Sequence, residues 1–238
     1  MNQVTNCPIC HSTSIAHYGQ LAQPVQDFSI GTAKWESFIR LFYDICRICG
    51  AIFQNPMMNE EELGFFYASG VYRDSFSSKN ADEDEEDRAI RLAKFLKDRG
   101  ITPTSHLDVG SSRGMFLETV DAMNQYGVEP FVDYNTNDRA IIFTNLDGLG
   151  SMDLASCIHV LEHVSDPLEF LKKMAKTMKD DGYLLIEVPS DMSPGGAMRL
   201  SHTYYFTLPF LLSLLGMAKL KAEVIQNTPH WMLLCRKM

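Results

Sequence analysis

Leu107-Asp108-Val109-Gly110-Ser111-Ser112-Arg113-Gly114 decides the fold, because a short apolar run closes on an acid and then opens into a turn framed by two glycines. Ser105 to Val109 reads as a buried strand, and Met115 to Gln125 carries apolar residues at helical spacing, so the turn sits where a parallel strand feeds a helix. Open α/β sheets bind ligands at such carboxyl strand ends. Glycine has no β-carbon, so it tolerates positive φ and lets a ligand approach the backbone closely. Tyr126 to Val128 reads as the tip of the next strand, which puts Glu129 where a carboxylate can accept hydrogen bonds from both hydroxyls of a ribose. On the loop alone three readings stay open: a nucleotide-type cofactor loop, a dinucleotide site and an ordinary strand-to-helix turn. The dinucleotide fingerprint wants Gly-x-Gly-x-x-Gly, whereas Ser111 and Ser112 follow Gly110 here.

Downstream, Asp153 to Val160 reads as a buried strand leading into Leu161-Glu162-His163-Val164-Ser165-Asp166-Pro167-Leu168-Glu169. Asp166 can cap a helix, Pro167 suits its first position, and Glu169 stands where a capping-box acid reaches back. Leu168, Leu171, Ala175 and Met178 make the apolar face, Lys172, Lys173, Lys176 and Lys179 the solvated one, and Gly182 marks the exit. A fifth strand, Tyr183 to Val188, stops at Pro189. The tail gives a helix over Leu208 to Ala218, then strands Ala222 to Gln226 and Trp231 to Arg236 with His230 in their turn, an antiparallel pair closing a sheet.

With these pieces in order, the chain resembles the class I S-adenosylmethionine-dependent methyltransferases. The Leu107 to Gly114 loop looks like the family's first motif, Glu129 like its ribose-binding acid, His159 to Pro167 like its fourth-strand motif, and Asp181 to Pro189 like its fifth strand. The resemblance implies an α/β, Rossmann-like fold with a mostly parallel seven-stranded sheet. It also implies S-adenosyl-L-methionine held by Asp108, Gly110, Ser111, Ser112, Gly114, Glu129, His159 and Val160. Ser112 stands where the family's commonest loop has glycine, and Val132 to Ser151 leaves little room for the usual helix between the second and third strands. If Ile141 to Phe143 is that third strand, the family places an adenine-contacting side chain at Asn145 or Asp147.

The N-terminal end carries Cys7-Pro8-Ile9-Cys10 and Cys46-Arg47-Ile48-Cys49. A two-residue gap lets both thiolates of a pair face one ion, and two pairs complete the closed tetrahedral shell of a structural Zn2+ site, with no open position for catalysis. Leu21 to Phe42 then forms an inserted hairpin or loop, with Phe38 to Tyr43 a strand returning to the second pair. A disulfide framework or a redox pair is the competing reading; no signal peptide precedes Cys7, and Cys157 and Cys235 fall in apolar strands. A four-cysteine module ahead of this fold is similar to sugar-modifying, zinc-containing methyltransferases. That resemblance implies a small-molecule acceptor, a sugar or sugar nucleotide.

The organisation expected is a zinc-ribbon-like module over 1–58, a short capped helix and linker or lid over 59–80, and the methyltransferase domain over 81–238. Asn59 to Tyr67 supplies the helix and the polar Ser69 to Asn80 the linker; Tyr67, Tyr72 and Phe76 suit a lid or plain packing equally well. With 238 residues and 45% hydrophobic content the chain can bury one α/β core plus a small module. Six of the acids behind a net charge of -9 cluster at 82–87, at the start of a helix running to Arg99 with Ile90, Ala93 and Leu96 inward. Basic residues form no patch interleaved with aromatics, so nucleic acid is not expected as a partner, nor is a membrane, since no apolar run has the length of a span. A cytoplasmic location is expected, and homodimerisation is left open.

Transfer from a sulfonium needs chiefly in-line positioning and exclusion of water, and a hydroxyl or carbon-acid acceptor also needs a base. His159, Glu162, His163 and His202 are the candidates, with His202 in the polar stretch after the fifth strand. Each has a plain alternative: a strand-end histidine satisfying a carbonyl, or Glu162 orienting His163. The same four could converge on a divalent ion, as in metal-assisted methyltransferases acting on RNA ends, although the net charge disfavours RNA. A catalytically silent binding protein that kept the fold, and a nicotinamide enzyme, complete the alternatives. Tyr204 and Tyr205 could face the sulfonium by cation-π contact or serve as core packing.

Overall fold

In the computed structural model residues 1–30, 33–68, 81–130, 138–191, 197–227 and 230–238 are described. In chain order the elements are β1 (Ile15–Ile30), β2 (Ala33–Cys46), β3 (Ile52–Gln54), α1 (Glu60–Ala68), α2 (Ala81–Lys97) and β4 (Ser105–Val109). Then come α3 (Met115–Thr119), β5 (Asn124–Val128), β6 (Ile141–Phe143), β7 (Met152–Ile158), a 3-10 turn at Leu161–His163 and α4 (Pro167–Thr177). The chain finishes with β8 (Met178–Val188), β9 (Tyr204–Tyr205), α5 (Leu208–Met217), β10 (Leu220–Asn227) and β11 (Trp231–Lys237). Two compact units interleave along the sequence: Met1–Ser77 with Glu162–Pro167 and Pro189–Leu214, and Ser78–Leu161 with Leu168–Val188 and Leu215–Met238.

The first unit is built on a four-stranded antiparallel sheet in the order β1-β2-β3-β9. In β2 the alternation is that of a half-buried strand: Leu41 and Tyr43 are buried while Arg40 and Phe42 are exposed. Leu41, Tyr43, Ile52, Met58, Leu63, Phe66, Met198 and Leu200 share one core. The helix α1 is held by a reciprocal cap, the Glu62 N–H donating to Asn59 Oδ1 at 2.8 Å and the Asn59 N–H to Glu62 Oε2 at 3.0 Å. Tyr72 and Phe76, with the linker Ser69 to Asn80, lie outside the described residues.

The second unit is a seven-stranded sheet in the order β10-β11-β8-β7-β4-β5-β6. The β4, β5, β6, β7 and β8 pairings are parallel; β11 runs antiparallel to both β8 and β10. This is the expected mostly parallel, Rossmann-like sheet, closed by an antiparallel tail. Ile141 to Phe143 is its third parallel strand, as the sequence suggested.

Three local expectations are corrected. The helix after the loop ends at Thr119 rather than Gln125. The buried Gln125 amide donates to Leu117 O at 2.8 Å and Val120 O at 3.2 Å, satisfying the helix-end carbonyls early and freeing the chain to enter β5. In α2 the buried face is Ala89, Leu92, Phe95 and Leu96, while Ile90 is 52% exposed; the helix is turned so that Arg88 and Arg91 reach a buried carboxylate at Glu187. Gly182 lies inside β8, which starts at Met178, and is not a helix terminator. A β-carbon there would come within 2.7 Å of Met152 O and 3.1 Å of Lys179 O, so glycine serves the close approach of β8 to β7.

No described helix is long and apolar enough to cross a membrane. Because all three atoms crowding residue 182 are backbone, Gly182→Ala is expected to cost about 1–3 kcal/mol in urea unfolding with an unchanged fold by circular dichroism.

Candidate functional site

The loop after β4 has a backbone that few residue types can adopt. Gly110, Ser112 and Gly114 have φ of 74°, 48° and 84°. The Gly110 N–H donates to Val128 O at 2.7 Å, tying the loop to the end of β5. A β-carbon on Gly110 would lie 2.3 Å from Val160 Cγ2, so the loop and the chain leaving β7 approach as closely as glycine permits. Glu129, only 8% exposed, follows β5 and accepts the Ser112 N–H on Oε2 at 3.0 Å. The expected cofactor-loop residues Gly110, Ser111, Ser112, Gly114 and Glu129 are thus brought together, with Val160 against them. Asn145 and Asp147 are exposed, and Asn145 Oδ1 accepts the Asp147 N–H at 2.9 Å.

Asp108 is different. It is buried, and the Ser156 hydroxyl donates to its Oδ1 at 2.6 Å; His106 Nε2 lies 2.8 Å from the same hydroxyl oxygen. Because that hydroxyl has given its proton to Asp108, His106 Nε2–H is the donor in the second bond. Burial pushes Asp108 up to about 7 and His106 down to about 3. Asp108 therefore anchors the strand end beneath the loop through β7, a link that neither the spacing nor the apolar pattern signals.

His159 follows β7 at φ 56°, a left-handed conformation that is uncommon for a side-chain-bearing residue, and its N–H donates to Glu187 O at 2.9 Å. Its Nε2 lies 3.3 Å from Glu187 Oε1, and its ring meets His230 edge to face at 4.6 Å. Glu187 is fully buried and takes Arg91 Nη2 on both oxygens, at 2.9 and 2.7 Å. Burial alone would raise its pKa; the hydrogen bond and charge of His159 and those of Arg91 hold it below the ordinary carboxylate value.

Glu162, His163 and His202 form a separate group whose ligand atoms lie within 4.8 Å of one another. The convergence of all four expected residues on one ion is thereby corrected: His159 groups with Glu187 and His230. His202, 5% exposed, donates from Nδ1 to Ala197 O at 2.7 Å, which leaves its lone pair on Nε2. Burial, reinforced by His163, drives its pKa well below the ordinary value. His163 Nδ1 sits 2.6 Å from Tyr67 Oη and 2.9 Å from Ser201 O; a carbonyl only accepts, so Nδ1 carries hydrogen, and Nε2 faces Glu162 Oε1 at 4.0 Å. Sequence reasoning missed Gln54, whose amide donates to Arg199 O and His202 O at 2.7 Å each and fixes the segment bearing His202. Tyr204 and Tyr205 are buried with hydroxyls on Ser165 O and Ser190 O, which is the packing role.

The four N-terminal cysteines form two matched turns. His11 (φ 59°) donates its N–H to Cys7 O at 2.9 Å, and Gly50 (φ 77°) donates to Cys46 O at 3.0 Å. Sγ separations are 3.5 Å for Cys7 and Cys49 and 3.6 Å for Cys10 and Cys46, and all four atoms lie within 4.8 Å. The edge of a tetrahedron with ~2.3 Å metal–sulfur bonds is about 3.8 Å, so the four sulfurs could hold a metal ion and are too far apart for a disulfide.

Residues 81–228 match a family described as a methyltransferase domain. The chain belongs to this family of methyltransferase domains. No curated protein matches the chain by sequence. Among solved structures it is similar to the 1,6-didemethyltoxoflavin-N1-methyltransferase of Burkholderia thailandensis, bound to its substrate and S-adenosylhomocysteine. The match has 21% identity and a TM-score of 0.60, covering 79% of this chain and 96% of that one. It is also similar to mitomycin 7-O-methyltransferase (17% identity, TM-score 0.55, 75% and 67% covered) and to a methyltransferase of calicheamicin biosynthesis (16%, 0.55, 74% and 59%). At these identities the likeness establishes a shared fold.

An acid whose folded pKa lies above its unfolded value contributes stability below the unfolded value and loses it as pH rises through the folded one. For Asp108 that window runs from 3.8 to about 7. Asp108→Asn keeps an acceptor for Ser156 and is expected to remove this loss, so that urea unfolding at pH 8 shows a gain on the order of 2–4 kcal/mol that shrinks toward pH 4.

Proposed function

We propose that the chain transfers a methyl group from S-adenosyl-L-methionine to a small-molecule acceptor, a sugar or sugar nucleotide, by in-line displacement. The observation that carries the reading is the Gly110 to Gly114 loop facing the Glu129 carboxylate at the carboxyl ends of adjacent strands. Positive-φ backbone at Gly110, Ser112 and Gly114 would admit the amino-acid end of the cofactor, and Glu129 would accept hydrogen bonds from the ribose hydroxyls. Similar structures named as 1,6-didemethyltoxoflavin-N1-methyltransferase and mitomycin 7-O-methyltransferase support a small acceptor.

The cofactor supplies an activated methyl on a sulfonium, so the residues have to orient the acceptor, exclude water and take one proton. The base is drawn from His163, His202, His159 and Glu162. His163 is the first choice: its Nε2 carries the lone pair, and the carboxylate of Glu162 beside it stabilises the imidazolium formed on proton abstraction. Tyr67, donating to Ser201 O and bonded to His163 Nδ1, keeps that tautomer. Functionally, residues 1–58 would hold structural Zn2+ through Cys7, Cys10, Cys46 and Cys49, 59–80 would act as a lid, and 81–238 would carry the cofactor. The clustering of Glu162, His163 and His202 favours a second reading, transfer assisted by a divalent ion at these residues.

Calorimetry is expected to show S-adenosylhomocysteine binding, weakened about 10- to 100-fold in Glu129→Ala as ribose hydrogen bonds are lost, and abolished in Gly110→Asp. Undiminished binding in both variants overturns the cofactor reading. His163→Asn is expected to cut kcat by about 100-fold or more and remove the acidic limb of the pH profile, whereas loss of turnover on EDTA treatment, restored by one added divalent ion, supports the metal-assisted reading. Mass spectrometry under native conditions is expected to find one zinc per chain, and Cys46→Ser to lower Tm by about 10 °C or more.

A further inference from the structure

Two guanidinium groups, those of Arg88 and Arg91, stand against the one buried carboxylate of Glu187. Arg91 takes both carboxylate oxygens. Arg88 then stands beside an already neutralised acid: its Nε is 3.6 Å from Glu187 Oε1, beyond hydrogen-bond reach, and it makes no hydrogen bond among the described residues. The Arg88 and Arg91 side chains are 30% and 33% exposed and His159 is 19%, so the cluster opens to solvent on the side away from Glu187. The His230 Nδ1 is buried with no hydrogen-bond partner.

His159, Glu187 and His230 could in principle hold a cation, but a metal would have to displace Arg91 from both oxygens and sit beside a second guanidinium. The Arg88 guanidinium, left over once Arg91 holds Glu187, suits an anion and not a cation. Its place is informative as well. His159 follows β7, Glu187 ends β8 and His230 precedes β11, whereas the cofactor loop and Glu129 follow β4 and β5. Val160, one residue past His159, closes on Gly110, so the cluster flanks the cofactor loop on the side opposite the ribose-binding acid.

We propose that Arg88, with His159 and His230 beside it, forms an oxyanion subsite that receives a phosphate of the acceptor, which makes the acceptor a phosphorylated small molecule such as a sugar nucleotide. The inference rests on the cofactor reading above and deepens it. The planar guanidinium of Arg88 would offer a two-pronged donor to phosphate oxygens while Arg91 stays committed to Glu187, and the neutral His230 would gain the partner its Nδ1 lacks.

Inorganic pyrophosphate titrated by calorimetry into the full chain saturated with S-adenosylhomocysteine tests this. Binding is expected in the wild type, weaker by about tenfold or more in Arg88→Gln and restored to within about threefold in Arg88→Lys, with the affinity for S-adenosylhomocysteine unchanged in both. Arg88→Gln leaves Glu187 paired with Arg91, and an unchanged melting temperature verifies that the variant is folded. A wild type that takes up S-adenosylhomocysteine but no pyrophosphate overturns the subsite, as does equal pyrophosphate binding by Arg88→Gln. Loss of S-adenosylhomocysteine affinity in Arg88→Gln assigns the cluster to the cofactor instead and also overturns it. A wild type that fails to bind S-adenosylhomocysteine at all refutes the cofactor reading independently.

Discussion

The missing β-carbon at residue 110 is the constraint on which the second unit depends. Any side chain there would have to share space with Val160, whose Cγ2 stands 2.3 Å from the would-be carbon, and the backbone already turns left-handed at that point. The close approach brings the exits of β4 and β7 together, and the Gly110 N–H to Val128 O bond adds the exit of β5. Three strand ends are thereby gathered at one edge of the sheet. The loop backbone, Glu129 and His159 are all placed by this gathering, and His159 takes its own left-handed turn immediately before the contact.

Charge inside the fold is managed in two opposite ways. Glu187 has no solvent exposure, yet it stays ionised because Arg91 grips both oxygens and His159 lies beside it, an arrangement in which hydrogen bonds and opposite charge outweigh desolvation. Asp108 is nearly as buried but among the described residues has only the Ser156 hydroxyl, so burial prevails and its proton is held to near neutrality. The difference lies in the helix before the sheet, which delivers two guanidinium groups to one carboxylate and none to the other.

The sheet and the geometry of the glycine loop after β4 were legible because each rests on short-range signals: apolar runs of strand length, glycines where backbone must turn left-handed, and an acid one residue past a strand. The paired cysteines were legible for the same reason, since each pair closes a local turn whose geometry is written in five residues. What could not be read depends on partners far apart in sequence. The face of the helix over Ala81–Lys97 was misjudged at Ile90 because hydrophobic spacing says nothing of a carboxylate 96 residues from Arg91. The helix after the loop was drawn too long because apolar spacing continued past Thr119, while the amide that ends it belongs to the following strand. Gln54, buried and polar, gave no signal at all, yet it fixes the backbone that carries His202.

The order in which strands join the smaller sheet has a consequence for how the chain can be cut or rearranged. The two residues of β9 come from position 204, yet they cover the open edge of β3 at position 52, and Gln54 clasps the carbonyls that precede them. The cysteine-bearing region is therefore no bead on a string. A fragment ending before residue 189 would expose a bare strand edge with unmet amides and invite edge-to-edge association. Exchange of this region between proteins by simple fusion would carry the same penalty.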